Sequence, residues 1–263
     1  MSLVHPNTRR LTPQTLGRWA FITAFFGALL PVVPAEAQTA PQGVSIEQIG
    51  PDNFAVIAAG EDDTTSVVQR GSNNTATIRT LGGTSNSADL FQDGDNNETE
   101  ATVDGDDNSW SVTQTGDGAT NRAEFTQTGT ANTLDIDQDA TGLPDGLANL
   151  AQVSQIGAGN SASVSQSATA SLGSLYANTA SITQTGSGNS ASVVQRGSGN
   201  VSEQLQEGDD NLSNIIQDGN DNSAVHHQYG DGLDLGDVLG GVTIEQSGGA
   251  SVTIKQYGPG HGG

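Results

Sequence analysis

Residues 179–228 read TASITQTGSGN, SASVVQRGSGN, VSEQLQEGDDN, LSNIIQDGNDN and SAVHHQ, one block of eleven after another. Gln184, Gln195, Gln206, Gln217 and Gln228 stand eleven apart. Asn189, Asn200, Asn211 and Asn222 follow the first four by five residues, and Gly186, Gly197, Gly208, Gly219 and Gly230 follow each Gln by two. Copies in strict register point to one small unit stacked on itself. Within a block, TASITQ or SASVVQ sets Ala, then Ile or Val, then Gln on one face, the period-two pattern of a strand of about six residues. TGSGN and RGSGN are turns, because Gly and Asn tolerate positive φ at little cost. Two blocks make a flat strand-turn-strand loop that cannot bury its face alone. Stacking such loops pairs each backbone with the loops above and below.

Gln is the unusual choice for an inner face. A buried amide left without partners costs roughly 1–3 kcal/mol. In a stack each Gln lies about 4.8 Å above the next, close enough for side-chain amides to bond in a ladder along the axis. The turn Asn can do the same.

The unit extends well beyond this stretch. Eighteen candidate strands align: 44–48, 54–59, 65–69, 75–80, 87–92, 98–103, 109–114, 122–127, 133–138, 150–155, 161–166, the five just quoted, 241–246 and 251–256. Gln fills the last slot in all but three, where Ala59, Thr80 and Val103 stand. The expected ladder residues are Gln48, Gln69, Gln92, Gln114, Gln127, Gln138, Gln155, Gln166, Gln184, Gln195, Gln206, Gln217, Gln228, Gln246 and Gln256. The expected turn amides are Asn53, Asn74, Asn97, Asn108, Asn132, Asn160, Asn189, Asn200, Asn211 and Asn222. An apolar residue stands two before the last slot everywhere except at Gln204 and His226. The fold class expected is all-β, a single cross-β solenoid of about nine two-strand rungs, roughly 40 Å long. Three turns exceed the pattern, 139–149, 167–178 and 229–240, and 115–121 carries two extra residues. The first two and 115–121 fall on one edge and the third on the other, where they are expected to bulge outward as loops.

Composition agrees. The 263 residues include 35 Gly and no Cys, so disulfides play no part, and the net charge of −22 opposes nucleic acid and anionic membranes. Residues 1–37 read as a secretory signal peptide: Arg9, Arg10 and Arg18 flank the apolar WAFITAFFGALLPVV, and Ala35-Glu36-Ala37 is a small-x-small site with cleavage after Ala37. The stretch is short for a membrane anchor and holds Pro31 and Pro34. Its removal leaves 5 basic against 29 acidic residues, a net charge of −24, and no segment apolar enough to span a bilayer. A linker at 38–43, the repeat body at 44–256 and a Gly-rich tail at 257–263 complete the division.

These residues resemble the curlin repeats of bacterial curli fimbriae. The run from Ser181 to Gln195 matches the family pattern through Gln184, Gly186, Asn189, Ala191 and Gln195, and 155–166 and 127–138 match in the same way. The resemblance implies a secreted, extracellular, cell-surface subunit that polymerises with itself into functional amyloid used in adhesion and biofilm matrix. It also implies export through an outer-membrane pore with accessory proteins, and a second curlin-like subunit as a possible nucleator. Two features depart from the family: usual curlins carry about five repeats, and a polar targeting segment precedes them. Here only QTAPQG lies between the cleavage site and the first strand.

Other readings are weaker. Asp clusters at 92–97, 103–108, 206–211 and 217–222 would repel if stacked, since about 4.8 Å is within a Debye length. That predicts slower assembly at neutral pH and low salt, and faster assembly near the isoelectric point of about 4.1. The period of eleven and the missing Gly-Gly-x-Gly-x-Asp argue against Ca²⁺ repeats. Mixed outward residues argue against an ice-binding face. The stronger rival is a capped, monomeric solenoid adhesin, although no cap is visible in the sequence. Catalysis has little support, and no metal or cofactor is expected: His226 and His227 read as one inward and one outward strand residue, and His261 lies in the tail. Trp110 takes an inner slot where Ala usually sits, either as a large core residue or through a local slip of register. Tyr229 and Tyr257 point outward as turn fillers or partner contacts.

Overall fold

A computed structural model describes residues 20–26, 43–60, 62–140, 146–168, 177–233 and 242–258. The cleavage site, most of the linker, His261 and the middle parts of the three long turns lie outside the described residues. The described chain is all strand and turn. Alternation of inward and outward side chains sends successive strands into two sheets. One holds, in spatial order, β2 (Val44–Ile49), β4 (Thr64–Arg70), β6 (Ser87–Gly94), β8 (Ser109–Gly116), β10 (Thr133–Asp139), β12 (Ser161–Ala168), β14 (Ser190–Gly197), β16 (Leu212–Asp218) and β18 (Val242–Ser247). The other holds β1 (Ala20–Phe26), β3 (Asn53–Ala59), β5 (Thr75–Gly82), β7 (Glu98–Asp104), β9 (Ala119–Thr130), β11 (Gly146–Ala158), β13 (Asn178–Ser187), β15 (Val201–Glu207), β17 (Ser223–Tyr229) and β19 (Ser251–Tyr257). From β2 onward every strand pairs in parallel with the strand two places along the chain, as in β12 on β14 and β15 on β17. This is a β-solenoid with two strands per turn, and all eighteen expected strands are present.

The core lies between the sheets as a single file-ordered stack. Each rung adds small and aliphatic residues, such as Ala162 with Val164 and Ala191 with Val193, and these sit directly over one another. Trp110 is buried in register between Ala88 and Leu134, edge-on to Phe125 at 4.9 Å between ring centroids. It is therefore a large core residue, and the register does not slip.

One expectation needs correction. The long turns are shorter than the pattern implied: Gly146–Asn149 are strand and pair back to Ala119–Asn121 with a shift between Leu147 and Asn149. Ala119, Ala140, Ala148 and Ala168 form a small satellite core there, because alternating small residues at these strand ends continue the sheet rather than leave it. The structure also adds a strand at the start of the chain. β1, which falls inside the apolar leader, lies antiparallel on β3 from Ala20 opposite Ala59 to Phe26 opposite Asn53. One edge of the solenoid is thus covered in the full chain, while β2 keeps its outer edge unpaired among the described residues.

The Gly column explains how flat turns stack. Gly186 has φ +120°, and a Cβ built there would collide with the backbone carbonyl of Gly208 on the next rung. Gly159 also has positive φ but open space around it. We expect Gly186→Ala to lower the urea midpoint clearly more than Gly159→Ala, whose cost is the left-handed backbone term of about 1–2 kcal/mol. Equal midpoints would contradict the close-approach argument.

Candidate functional site

The functional surface of a stack is its repeating hydrogen-bond pattern and its two ends. In the nine-stranded sheet the inward Gln form one unbroken file. Gln48, Gln69, Gln92, Gln114, Gln138, Gln166, Gln195 and Gln217 each donate from Nε2 to Oε1 of the next, ending at Gln246, over 2.6–2.9 Å. In the ten-stranded sheet the file begins later. Gln127, Gln155, Gln184, Gln206 and Gln228 donate forward in the same way to Gln256 over 2.8–3.0 Å. Below Gln127 the register places Val103, and Gln127 Oε1 is buried without a partner. The spare amide hydrogens go to backbone carbonyls of the opposite sheet, as Gln195 does to Thr179 and Gln217 to Val201.

The turn amides form two further files, and they run in the opposite sense. Asn222, Asn200, Asn178, Asn149, Asn121, Asn97 and Asn74 each donate from Nδ2 to Oδ1 of the Asn one rung nearer the N-terminus, ending at Asn53, over 2.8–3.1 Å. On the other edge Asn189, Asn160, Asn132, Asn108 and Asn86 do the same down to Asp63 over 3.0–3.2 Å. Asn211 joins this file through its backbone N–H, which donates to Asn189 Oδ1. Every expected ladder Gln and turn Asn falls in one of the four files. Asn86, Asn121, Asn149, Asn178 and Asp63 complete them and were missed. The signal was present for four of them: Asn86, Asn121, Asn149 and Asn178 each stand immediately before an expected strand, although the turn leading to it is irregular in length.

The acidic turns form the expected stack of like charges only in part. Asp209 lies against Asp231, whose Oδ1 accepts from the Asp209 backbone N–H at 3.0 Å, while other turns meet basic side chains. Asp93 sits over Arg70, and Asp218 pairs with Arg196 at 3.1 Å. Turn carboxylates also accept from the rung below: Asp95 from Ser72, Asp106 from Thr84 and Asp209 from Ser187, at 2.7–2.8 Å from the backbone N–H. The expected repulsion is thus relieved at Asp93 and Asp218 and kept where Asp209 meets Asp231, on top of the net charge of the whole chain. The two outward tyrosines stack on each other, Tyr229 on Tyr257 at 5.3 Å, instead of filling turns separately.

His226 is fully buried, in file above Gln204, where the other rungs hold apolar residues such as Val153 and Ile182. Ser213 Oγ lies 2.6 Å from Nδ1 and Gln256 Oε1 2.9 Å from Nε2. Gln256 Oε1 can only accept, so Nε2 carries a proton, and in the neutral ring, which burial favours, Nδ1 accepts from Ser213. Burial is the main cause that holds its pKa below the ordinary value near 6.5. His227 is half-buried and 3.0 Å from Glu203. No group of three or more His, Cys, Asp or Glu side chains converges on a point among the described residues. A shallow depression on the outer face of the ten-stranded sheet is lined by Glu100, Thr102, Glu124, Gln152, Ser154 and Ser181.

Two outcomes follow from this geometry. Gln195→Leu leaves Gln217 Oε1 without its donor, at about 1–3 kcal/mol for a buried group unpaired, and removes one acceptor of the Gln166 amide, which keeps its backbone partners. Gln246→Leu, at the end of the file, removes only one acceptor of the Gln217 amide, which keeps the Val201 carbonyl, and strands no oxygen of the file. The urea midpoint is expected to fall more for Gln195→Leu. For His226, a lowered folded pKa means that the unfolded chain binds the proton first. Stability is greatest above about pH 6.5 and is lost as pH falls from there towards the folded value. A pH series of urea midpoints between 7.5 and 5 is expected to be steeper for the native chain than for His226→Gln.

Comparison with protein families supplies the last observation. The model of the curlin associated repeat matches residues 83–116 and 177–203. No curated protein matches the chain. The first matched region spans β6 to β8, and the second spans β13, β14 and the start of β15. The unmatched rungs at 127–138 and 155–166 keep the same amide files. In two regions of one continuous β-solenoid, the chain carries the curlin associated repeat, the repeat of a structural-subunit family.

Proposed function

We propose that this chain is a secreted structural subunit that polymerises end to end into extracellular, curli-like amyloid fibres serving adhesion and biofilm matrix. The observation that carries this reading is the open ends of the stack. β2 at one end, and β18 and β19 at the other, present outer strand edges with no partner among the described residues. Such edges are templates for another copy. Val44, Ile46, Val252 and Ile254 are only partly buried at these ends, although their file neighbours are fully covered. A further rung would complete their burial. The leader at 1–37 would direct secretion and be removed after Ala37, and its removal would also free β3 from β1. An outer-membrane pore and accessory proteins would handle export.

A capped monomeric adhesin is the rival, and β1 on β3 is the one observation that favours it. Both are tested together. The chain beginning at Gln38 is expected to form thioflavin-binding fibres, faster at pH 4.5 than at pH 8 because the net charge is smaller near the isoelectric point of about 4.1. The full chain is expected to grow more slowly, since β1 occupies one edge. A stable monomer at high concentration from the Gln38 form would overturn the polymer reading and leave the adhesin.

A further inference from the structure

The two terminal strands of the nine-stranded sheet are nearly the same peptide. β2 reads VSIEQI and β18 reads VTIEQS. Their registers against β4 and β16 place Ile46 and Ile244, then Gln48 and Gln246, in the same inner files. Gln48 Oε1 is buried with no hydrogen-bond partner. Gln246 donates from Nε2 to the carbonyls of Ser223 and Ala250. Gln166 makes the equivalent pair of backbone bonds and still donates to the next Gln, so the file can continue past Gln246.

The ten-stranded sheet offers no such match. Continuing its register would set Gln256 against Ala59, which has no side-chain acceptor, and Val252 against Ala55.

From this we infer that copies join through the nine-stranded sheet, with β18 of one copy seated in parallel on β2 of the next. This rests on the polymer reading above and adds its register and its gate. Val242, Ile244 and Gln246 would fall in register with Val44, Ile46 and Gln48, and the orphan acceptor of Gln48 would receive the Gln246 amide. Every Gln bond of this sheet donates forward, so only a head-to-tail fibre of one polarity continues the file. The same register sets exposed Glu245 beside exposed Glu47, about 4.8 Å apart. Inside one chain neither has a charged neighbour across the sheet: Glu47 faces Val68 and Glu245 faces Ile216, with Arg70 and Asp218 two residues further along the adjacent strands. The junction thus creates one new like-charge pair, which slows joining at neutral pH.

A charge-reversal cycle tests it on the Gln38 form, which contains all four amide files and the whole described core. Glu47→Lys and Glu245→Lys are each expected to speed fibre elongation about fivefold at pH 7.5 and low salt, the scale for an exposed pair made attractive. The double variant restores repulsion and is expected to return near the native rate. If net charge alone governs growth, the double variant is fastest, and the junction is overturned. A second measurement is independent of charge. Fibres of mixed Ser45→Cys and Thr243→Cys single variants, both outward positions, are expected to cross-link between copies in a chain with no native Cys. Fibres without that cross-link overturn the register while leaving polymerisation intact. Failure of every form to make fibres overturns the polymer reading itself.

Discussion

The structure depends on one constraint: a side-chain amide buried in a parallel stack must find both a donor and an acceptor along the axis. Strict register is the only arrangement that satisfies it for every rung at once. A one-residue slip would turn each Gln to the outer face and leave its neighbours unpaired. The amides therefore act less as a source of net stability, since each made bond contributes about 1 kcal/mol, than as a device that forbids other registers. The aliphatic slots cannot do this, because Ile and Val pack acceptably at several offsets.

Gln and Asn divide the task by direction. Gln Nε2 donates towards the C-terminus and Asn Nδ2 towards the N-terminus. Opposed files partly cancel each other's dipoles along the axis, so a long stack does not accumulate a large end-to-end field from its side chains. The backbone has no such freedom, because all strands after β1 run parallel within each sheet. Low apolar content is no obstacle to this fold. A rung needs only two or three inner side chains per strand, and the turn Gly bring backbones of neighbouring rungs into contact without side chains.

Much of this was legible in the residues. The eighteen strands, both Gln files and the inward His226 follow from a period of eleven, because period-two alternation and Gly-Asn turns leave little choice of register. What escaped was set by irregular spacing. Asn149 and Asn178 end turns whose length broke the repeat, so counting forward from Gln missed them, although counting back from the strand would have found them. The acidic turns were only partly legible because adjacency in sequence is not adjacency in the stack: 206–211 and 217–222 lie on opposite edges, and each meets the turn two strands away, where 206–211 finds Asp231. The Tyr229–Tyr257 stack escaped for the same reason, since the turn between β17 and β19 hides their shared file. β1 was invisible because its apolar run satisfies the rules for a leader, and nothing in that composition announces a strand partner.

The unequal files carry the remaining lesson. In the ten-stranded sheet, Ala59, Thr80 and Val103 occupy the first three Gln slots, and the amide file starts only at Gln127, with its Oε1 unpaired. That sheet's first rungs are held by aliphatic packing of Ala55, Ile57, Ala76 and Ile78, which does not fix polarity. It is this sheet that accepts β1 in antiparallel orientation, something a continuing Gln file would penalise by leaving its last amide acceptor facing a reversed strand. The nine-stranded sheet has its file intact from β2 to β18, and among the described residues no such strand lies on it. Loss of amides at one edge thus makes that edge permissive, and retention at the other makes it selective. A stack built from near-identical units acquires two different ends and, at its first rung, two different sides.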